Sequence, residues 1–428
     1  MNVAQVIEYL RVKGGSEKTC RRLASELVSA GHRALIIHGE EKHEPAEDGV
    51  ETAYVEGLTA ANLLRRNRSV YRKILIELKK FRPDVVHFRN FNAPLIIKAV
   101  SSAYPTVRTV HTPWTYCPAG TMYKYTKGEV CENIPGLGCL LTGEWRSCRF
   151  RNDGSPISFG EMFKRYVSCR AFRLVDRTLS GIVANSEWTK RFIVSCGIPA
   201  EMVETVPPPI DLPGCTGTNR KNNGNYNVLA VGRLAVVKGF DDFLRAMTRL
   251  PDNVRATVAG DGPCRPRLEG LSVELGIAGR VNFTGWVNGH ELKRLYESAD
   301  VFVLPSKYAE LFGQVGADAN AHGLPVVAYA VGGIPSWLED KKNGLLVEPG
   351  DVEGLADRLR FIFTYPELSK KMGTYGRLKI KKDFSTEIHT AKTLRVYEKA
   401  VARFKSSASI QRTFRPSTSM DTEKSYAR

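Results

Sequence analysis

Two successive series of strand-like and helix-like segments, separated by three consecutive prolines, constrain the fold of this chain most. Short stretches rich in Val, Ile and Leu alternate with stretches of helical periodicity, an order typical of βαβ units that build a parallel sheet. In the first series the predicted strands are residues 3–9, 34–38, 84–88 and 106–111. After Pro207, Pro208 and Pro209 the second series has predicted strands at residues 227–231, 255–259, 281–284, 300–304 and 325–329. We therefore predict an α/β protein with two facing Rossmann-like domains and a ligand-binding cleft between them.

The length of the chain, 428 residues, agrees with two domains, because single hydrophobic cores stop growing near roughly 250 to 300 residues. The predicted units are an N-terminal domain (1–206) with an insert (112–156), a C-terminal domain (207–384), a crossover helix (385–405) and a disordered tail (406–428). The tail is rich in Ser, Thr and charge. The polar stretch 216–227, after the prolines, is predicted to be a linker.

The net charge of +17 narrows the classes of partner. The excess of Lys and Arg is spread over both halves, whereas nucleic-acid binding predicts a concentrated basic patch with stacking aromatics or a recognisable module. Anionic small substrates and an anionic membrane surface remain. The first residues lack the features of a signal peptide, no apolar run is long enough to span a bilayer, and nine cysteines is an odd number. These features favour reduced thiols and a cytoplasmic location.

Two cations follow the first strand of the second series. Arg233 and Lys238 lie in a loop at the carboxyl end of that strand, where a guanidinium fork and an ammonium group suit a diphosphate. Taken alone, they could equally be solvated loop charges. The Gly260-Asp261-Gly262-Pro263 stretch follows the next strand and permits a tight turn beside an anion.

A carboxylate and a predicted helix start come later in this series. Glu310 lies between a strand and a helix predicted to begin near Phe312, and the backbone N–H groups of residues 311–314 could hold phosphate oxygens. Asp318 lies eight residues further on, about 12 Å along a helix, so the two acids could bracket the phosphate site. The alternative for Glu310 is an exposed acid near a helix N-terminus.

These motifs together resemble the family-four retaining glycosyltransferases, which have the GT-B fold. The resemblance covers residues 3–111 and 157–402, and it rests on the following segments: Gly232-Arg233-Leu234, Lys238-Gly239, Gly260 to Pro263, Phe283 to Val287, Pro305-Ser306, Glu310 to Gly313, Ala321 to Ala328, and Gly332-Gly333. Weaker matches are Gly14 to Glu17, Pro83 to His87 and Ala184 to Pro207.

The resemblance implies roles for individual residues. Arg233 and Lys238 would grip the donor diphosphate, Glu310 the donor sugar, and Asp318, which replaces the glutamate of the family's E-x7-E pattern, the ribose. The remaining donor-binding candidates are Gly15, Leu311, Phe312 and Gly313 near the phosphates, with Gly285 and Val287 near the base. His111, at the end of a strand, would lie near the donor sugar, although a structural histidine and, at Gly14 and Gly15, a simple turn are the alternatives.

The insert contains four cysteines, Cys117, Cys131, Cys139 and Cys148. Loops of this length usually function as lids or binding segments, and four cysteines can complete a tetrahedral site for structural zinc or iron. Their spacings of 14, 8 and 9 contain no C-x2-C pair, so reduced thiols and oxidisable pairs stay open as alternatives.

Two basic stretches of the first half read as amphipathic helices. They run from Arg65 to Arg82 and from Phe163 to Arg177, and basic faces with aromatic residues can bind anionic lipid. The alternative is a solvated helix face. Peripheral contact with the inner face of a membrane would suit a lipid-linked acceptor.

We therefore predict a retaining transferase that moves a hexosyl-type group from a nucleotide diphosphate sugar to a sugar or lipid-linked acceptor, in glycan, polysaccharide or glycolipid biosynthesis. No cofactor is expected for catalysis, because the resemblance implies a front-face reaction in which Arg and Lys replace a divalent metal. The alternatives are a nucleotide-sugar epimerase of the same architecture and a non-catalytic nucleotide-sugar-binding protein. The sequence does not specify the donor sugar, base, acceptor or oligomeric state.

Overall fold

The fold is taken from a computed structural model, which describes residues 1–11, 14–41, 46–59, 67–141, 145–151, 153–214 and 224–413. Most of the predicted linker, Arg65 and Arg66 of the first basic stretch, and residues 414–428 of the predicted tail lie outside the described residues.

The N-terminal half is built on a parallel sheet with seven strands among the described residues. Its strands are β1 (Asn2–Ile7), β2 (Arg33–His38), β3 (Glu51–Tyr54), β4 (Val85–Arg89), β5 (Thr106–Val110), β8 (Gly181–Ala184) and β9 (Val203–Thr205), and β6 (Tyr123–Lys124) and β7 (Glu129–Val130) form a separate hairpin. The order across the sheet is β3-β2-β1-β4-β5-β8-β9. Helices cover both faces, and β1 and β4 are accordingly buried along almost their whole length.

The helices of this half connect and cover the strands. They are α1 (Gly15–Ser29), α2 (Asn67–Phe81), α3 (Pro94–Ser101), α4 (Gly138–Leu141), α5 (Trp145–Cys148), α6 (Phe159–Asp176) and α7 (Glu187–Ser195). Ser158 caps α6 and Ser186 caps α7, each by accepting a hydrogen bond from the third residue of its helix. Most of the described part of each predicted basic stretch is helical, in α2 for the first and in α6 for the second.

The C-terminal half repeats the architecture with a parallel sheet of six strands among the described residues. The strands are β10 (Tyr226–Val231), β11 (Val254–Ala259), β12 (Val281–Gly285), β13 (Val301–Leu304), β14 (Val326–Tyr329) and β15 (Gly344–Val347), in the order β12-β11-β10-β13-β14-β15. The helices are α8 (Phe240–Met247), α9 (Arg265–Glu274), α10 (Gly289–Ser298), α11 (Gln314–Ala321), α12 (Val352–Thr364) and α13 (Pro366–Asp383). Helix α11 begins at Gln314, two residues later than predicted.

In both sheets the strand order reverses beside the first strand of the sheet. Strand β1 lies between β2 and β4, and β10 lies between β11 and β13. Open parallel sheets bind ligands beyond the carboxyl ends of their strands at such points. The two facing Rossmann-like domains of the predicted GT-B fold are thus present.

The last helix, α14 (Thr386–Thr413), returns from the second half to the first. Its Tyr397 hydroxyl lies 2.7 Å from Nδ1 of His87 on β4, and Lys399 lies 2.6 Å from Glu204 on β9. The predicted crossover helix corresponds to α14, which continues to Thr413 and so extends past the predicted start of the tail. The disordered tail stays a prediction. The boundary at 206 and 207 stays a prediction.

Candidate functional site

A cleft of about 530 Å³ lies between the carboxyl ends of the two sheets. Eight of the predicted site residues line it together: Gly15, His111, Arg233, Lys238, Glu310, Leu311, Phe312 and Gly313. They come from both halves of the chain, so the cleft requires the two sheets to face each other.

The loop after β10 places both predicted cations at the cleft. The side chain of Arg233 is exposed there, and no described acid forms an ion pair with it. Lys238 ends a short 3-10 turn, and Gly239 follows with φ of 68°. A Cβ atom on Gly239 would lie 1.9 Å from the backbone oxygen of Pro305, so a glycine is required where this loop touches the end of β13.

Glu310 accepts three hydrogen bonds, from Lys238, Ser306 and Tyr308. Lys238 Nζ lies 2.6 Å from Glu310 Oε1, and the Ser306 hydroxyl donates to the same oxygen over 2.8 Å. The Tyr308 hydroxyl donates to Oε2 over 2.8 Å. Glu310 is 7% exposed, so this carboxylate is held rigidly at the wall of the cleft.

The charges of the Lys238–Glu310 pair stabilise each other. Burial alone would raise the pKa of Glu310, but the Lys238 ammonium and the hydrogen bonds together hold that pKa below its ordinary value. Burial alone would lower the pKa of Lys238, and the Glu310 carboxylate more than offsets this and raises it. Both groups are therefore ionised at neutral pH.

The segment between Glu310 and α11 offers backbone donors to the cleft. The N–H groups of Leu311, Phe312 and Gly313 form no backbone hydrogen bond within the described part of the chain. The carbonyl groups of this segment are held instead: Trp337 Nε1 donates to the Phe312 oxygen over 2.6 Å. Gly313, with φ of 82°, precedes the first turn of α11. Free N–H groups at a helix N-terminus form an anion-binding site.

The N-terminal half brings a second helix N-terminus to the cleft. Gly15 is the first residue of α1, and a Cβ atom there would lie 2.0 Å from the side-chain oxygen of Gln314, the first residue of α11. The first turns of the two helices therefore meet across the cleft, and both point N–H groups toward it.

His111 follows β5 and lines the same cleft. Burial, reinforced by the charges of Arg89 and Arg108, lowers the pKa of His111 to about 3. Its Nε2 atom has no hydrogen-bond partner among the described residues. At neutral pH this imidazole is uncharged and can exchange hydrogen bonds with a ligand hydroxyl.

Three predicted donor-binding residues do not line the cleft. Gly285, with φ of 74°, ends β12 and accepts a hydrogen bond from the N–H of Gly260 over 2.8 Å, and Val287 follows two residues later. Asp318 lies in the second turn of α11, near Lys18 of α1. The prediction that eight helical residues separate Glu310 and Asp318 is wrong, because the chain between them is a loop up to Gln314.

Sequence reasoning missed several residues that line the cleft. The Tyr308 hydroxyl accepts a hydrogen bond from Lys238 and donates one to Glu310. The Lys238 ammonium also lies over the Tyr308 ring, 5.0 Å from the ring centroid. Trp114 and Thr121 reach the cleft from the insert. A tyrosine two residues before the predicted acid was the available signal for Tyr308, whereas the insert lies outside the family resemblance.

The four cysteines of the insert line one small cavity of about 20 Å³. In the described residues no group of three or more His, Cys, Asp or Glu side chains has a geometry that could hold a metal ion. The predicted zinc or iron is therefore not shown. Among the described residues, no helix combines the length and the apolar character needed to cross a bilayer.

Two sequence families match adjacent parts of the chain. The family described as Glycosyltransferase Family 4 matches residues 13–213, and the family described as Glycosyl transferases group 1 matches residues 217–379. The first covers the N-terminal sheet except for β1, and the second covers the loops that carry Arg233, Lys238 and Glu310.

Curated relatives align over shorter stretches. An uncharacterized glycosyltransferase of Methanocaldococcus jannaschii is 43% identical over 131 residues, which is 30% of this chain and 33% of the relative. A D-inositol 3-phosphate glycosyltransferase of Saccharomonospora viridis is 35% identical over 228 residues, which is 49% of this chain and 52% of the relative. The aligned parts thus span between a third and about half of these relatives.

Solved structures match the whole fold. A sucrose-phosphate synthase from Thermosynechococcus elongatus superposes with a TM-score of 0.72 at 19% identity, over 94% of this chain and 99% of that one. The Anabaena HepE protein in complex with UDP and glucose superposes with a TM-score of 0.67 at 16% identity, over 93% and 99% of the two chains. Because the two family matches together cover residues 13–213 and 217–379, which include the loops of the cleft, the chain belongs to the family-four, group 1 glycosyltransferases of the GT-B fold.

Proposed function

We propose that this chain transfers a sugar from a nucleotide diphosphate sugar to an acceptor hydroxyl, with retention of configuration at the anomeric carbon. The observation that carries the proposal is the composition of the cleft, where the exposed Arg233, the Lys238–Glu310 pair and the backbone N–H groups of residues 311–313 meet. Every transfer from such a donor releases a diphosphate, so the site must stabilise the negative charge that develops on it.

Each part of this arrangement has a proposed task. Arg233 binds the diphosphate with its guanidinium fork, and Lys238 and the N–H groups before α11 share the remaining charge. Glu310 accepts hydrogen bonds from hydroxyls of the donor sugar, because its ionised carboxylate has further acceptor capacity. His111, uncharged at neutral pH, hydrogen-bonds a hydroxyl and does not act as an acid. Gly15 lets the start of α1 approach the donor.

The mechanism proposed is a front-face displacement. Double displacement requires a carboxylate nucleophile and a second acid about 5 Å apart, as in retaining glycosidases. Among the described residues that line the cleft, Glu310 is the one carboxylate, and Lys238 already binds it. The departing phosphate oxygen would therefore take the acceptor proton. Arg233 and Lys238 supply the charge that a divalent metal supplies elsewhere, so no such metal is needed.

The test is an assay of nucleoside diphosphate release from a panel of nucleotide sugars, with and without acceptor pools, followed by NMR of the anomeric product. We expect release that depends on an acceptor and a product of retained configuration. Inverted product, or EDTA inactivation reversed by magnesium, would contradict the mechanism. Conversion of the donor alone into an epimer, or tight donor binding without turnover, would identify one of the two alternative functions.

The far end of the donor site is assigned to Asp318, with the base near Gly285 and Val287. Burial raises the pKa of Asp318 to about 6, although the charge of Lys18 opposes the shift and Asp211 adds to it. Asp318 therefore becomes protonated and loses its negative charge as the pH falls through about 6, whereas an ordinary aspartate does so near about 4. The ribose contact should weaken over that interval, since a protonated acid accepts fewer hydrogen bonds.

We expect the KM for donor to rise roughly tenfold between about pH 8 and about pH 5, as one charged hydrogen bond is lost. The matched variant Asp318→Asn should have the higher KM throughout and lack the inflection near pH 6. The donor diphosphate does not titrate in this range, and other groups such as Glu8 titrate equally in both proteins. An inflection of equal size in Asp318→Asn would refute the ribose assignment.

A membrane surface is the proposed location of the acceptor. Helix α6 exposes Phe159, Phe163, Val167 and Leu174 on one face, and the insert exposes Ile134, Leu137 and Leu141. Arg173 Nη1 of α6 donates to the Pro135 oxygen over 2.5 Å, so the insert lies beside the helix. Exposed Lys164, Arg170 and Arg177 accompany the apolar side chains. Apolar residues among basic ones match the interface of an anionic bilayer.

Co-sedimentation with phosphatidylglycerol vesicles tests this surface. We expect binding at low salt, weak binding to phosphatidylcholine vesicles, and loss of binding in the double variant Phe163→Ser, Leu141→Ser. Leu378→Ser is the control, because Leu378 is equally exposed but lies on α13 of the other half. Equal sedimentation of native protein and double variant would exclude this face.

A further inference from the structure

The insert at 112–156 has little regular structure to hold it together. Its described elements are a 3-10 turn at Pro113–Thr115, the β6–β7 hairpin with two residues in each strand, and α4 and α5 with four residues each. Backbone bonds join these pieces, such as the bond from the Thr126 N–H to the Ser147 oxygen over 3.3 Å. Segments with so little regular secondary structure commonly depend on a crosslink or a metal.

The four cysteines converge although they come from four different pieces. Cys117 follows the 3-10 turn, Cys131 follows β7 directly, Cys139 lies in α4 and Cys148 ends α5. All four line the same cavity, whose volume of about 20 Å³ holds roughly one water molecule. The other residues that line this cavity include apolar ones such as Met122 and Met162, and none of the described lining residues is an acid or a histidine. Four sulfurs around a space of this size form a candidate ligand set for one soft metal ion.

We propose that Cys117, Cys131, Cys139 and Cys148 bind one Zn²⁺ ion, which fixes the shape of the insert. In their described positions these side chains do not form a group that could hold a metal ion. The sulfurs must move inward until each lies about 2.3 Å from the metal. The cavity leaves room for that contraction, and three of the four cysteines lie in or beside the short, weakly bonded elements of the insert.

The ion would also act on the donor site, and this second part rests on the proposed function. Cys131 directly follows Val130, which pairs with Tyr123 across the hairpin. Tyr123 packs with Ala235 and Val237 of the loop after β10, which carries Arg233 and Lys238 and is called the diphosphate loop below, and Tyr308 packs against this cluster. Metal binding at Cys131 thus fixes a hairpin that supports the loop carrying Lys238.

Metal binding is tested on the whole chain, purified reduced and without chelators. We expect about one equivalent of zinc per chain. Replacement of the metal by Co²⁺ should give the intense sulfur-to-cobalt charge-transfer bands of a tetrahedral thiolate site. Cys139→Ala and Cys148→Ala should each lose the bands. Cys20→Ala is the matched control, since Cys20 is a buried cysteine of α1 far from the insert in sequence, and it should keep them.

Several results would overturn the proposal. Less than about half an equivalent of metal together with no cobalt bands in the native chain would refute the site. Disulfides among the four cysteines in the freshly purified protein, found by mass spectrometry without reduction, would identify an oxidised pair instead. Because the cobalt titration uses the native chain, the test does not depend on whether the variants fold.

The effect on the donor site has a separate readout. In Cys139→Ala we expect the KM for donor to rise about tenfold while Cys20→Ala is unchanged, since displacements of about 1 Å can cost about 100-fold. If the native chain binds one zinc but Cys139→Ala has the native KM for donor, the link to the diphosphate loop is refuted. Metal binding without transferase activity in the native chain would refute the proposed function and leave the metal site standing.

Discussion

Arg233→Ala is expected to lower kcat/KM by about 10²- to 10³-fold without lowering the melting temperature. The side chain is exposed in the cleft and forms no ion pair with a described acid, so the fold loses little when it is removed. The donor loses its bidentate cation, and removal of one preorganised group that stabilises developing charge costs about 10² to 10³ in rate. Steady-state kinetics and thermal denaturation on the same samples measure both effects.

The control is Arg245→Ala, because Arg245 is an exposed arginine of α8 in the same half that does not line the cleft. It should retain native kinetics. Arg233→Lys should recover part of the rate, since it keeps the charge but not the guanidinium fork. A melting temperature that falls as steeply as the rate would mean that Arg233 supports the loop instead of binding the donor.

Much of the fold could be predicted because its longer strands are rich in apolar and β-branched residues. The predicted strands at 34–38, 106–111, 227–231 and 255–259 all correspond to strands of the two sheets. The missed strands are short or polar. Strand β9 has three residues and β3 reads Glu-Thr-Ala-Tyr, so neither carries a pattern that distinguishes it from a loop. These edge strands gain their structure from the neighbour they pair with.

The cleft could be predicted in part for a similar reason. Arg233, Lys238 and Glu310 lie in the loops that follow β10 and β13, and the carboxyl ends of parallel strands meet at one edge. The contact of Lys238 with Glu310, 72 residues apart, and that of the insert with the diphosphate loop depend on tertiary packing that has no local signal. Helix α11 begins two residues later than predicted, so the estimate of about 12 Å of helix between Glu310 and Asp318 does not apply.

The second large effect is expected at the Lys238–Glu310 pair. Glu310→Gln should lower kcat by about 10²- to 10³-fold, because a neutral amide binds sugar hydroxyls and stabilises the positive charge that develops on the donor sugar less well than a carboxylate. The same substitution also disturbs Lys238, which then lacks the charge that raises its pKa. A single variant therefore cannot separate a direct role for Glu310 from the positioning of Lys238.

A double-mutant cycle with Lys238→Met separates the two roles. If Glu310 contacts the donor sugar, Glu310→Gln should still lower kcat about tenfold or more in the Lys238→Met background. If Glu310 only positions Lys238, the double variant should match Lys238→Met alone, because the contact being positioned is already gone. Ser306→Ala, which removes one hydrogen bond to Glu310 and leaves both charges, serves as the control and should cost far less than either. We expect the first outcome, because Glu310 lines the cleft and its two oxygens retain acceptor capacity toward it.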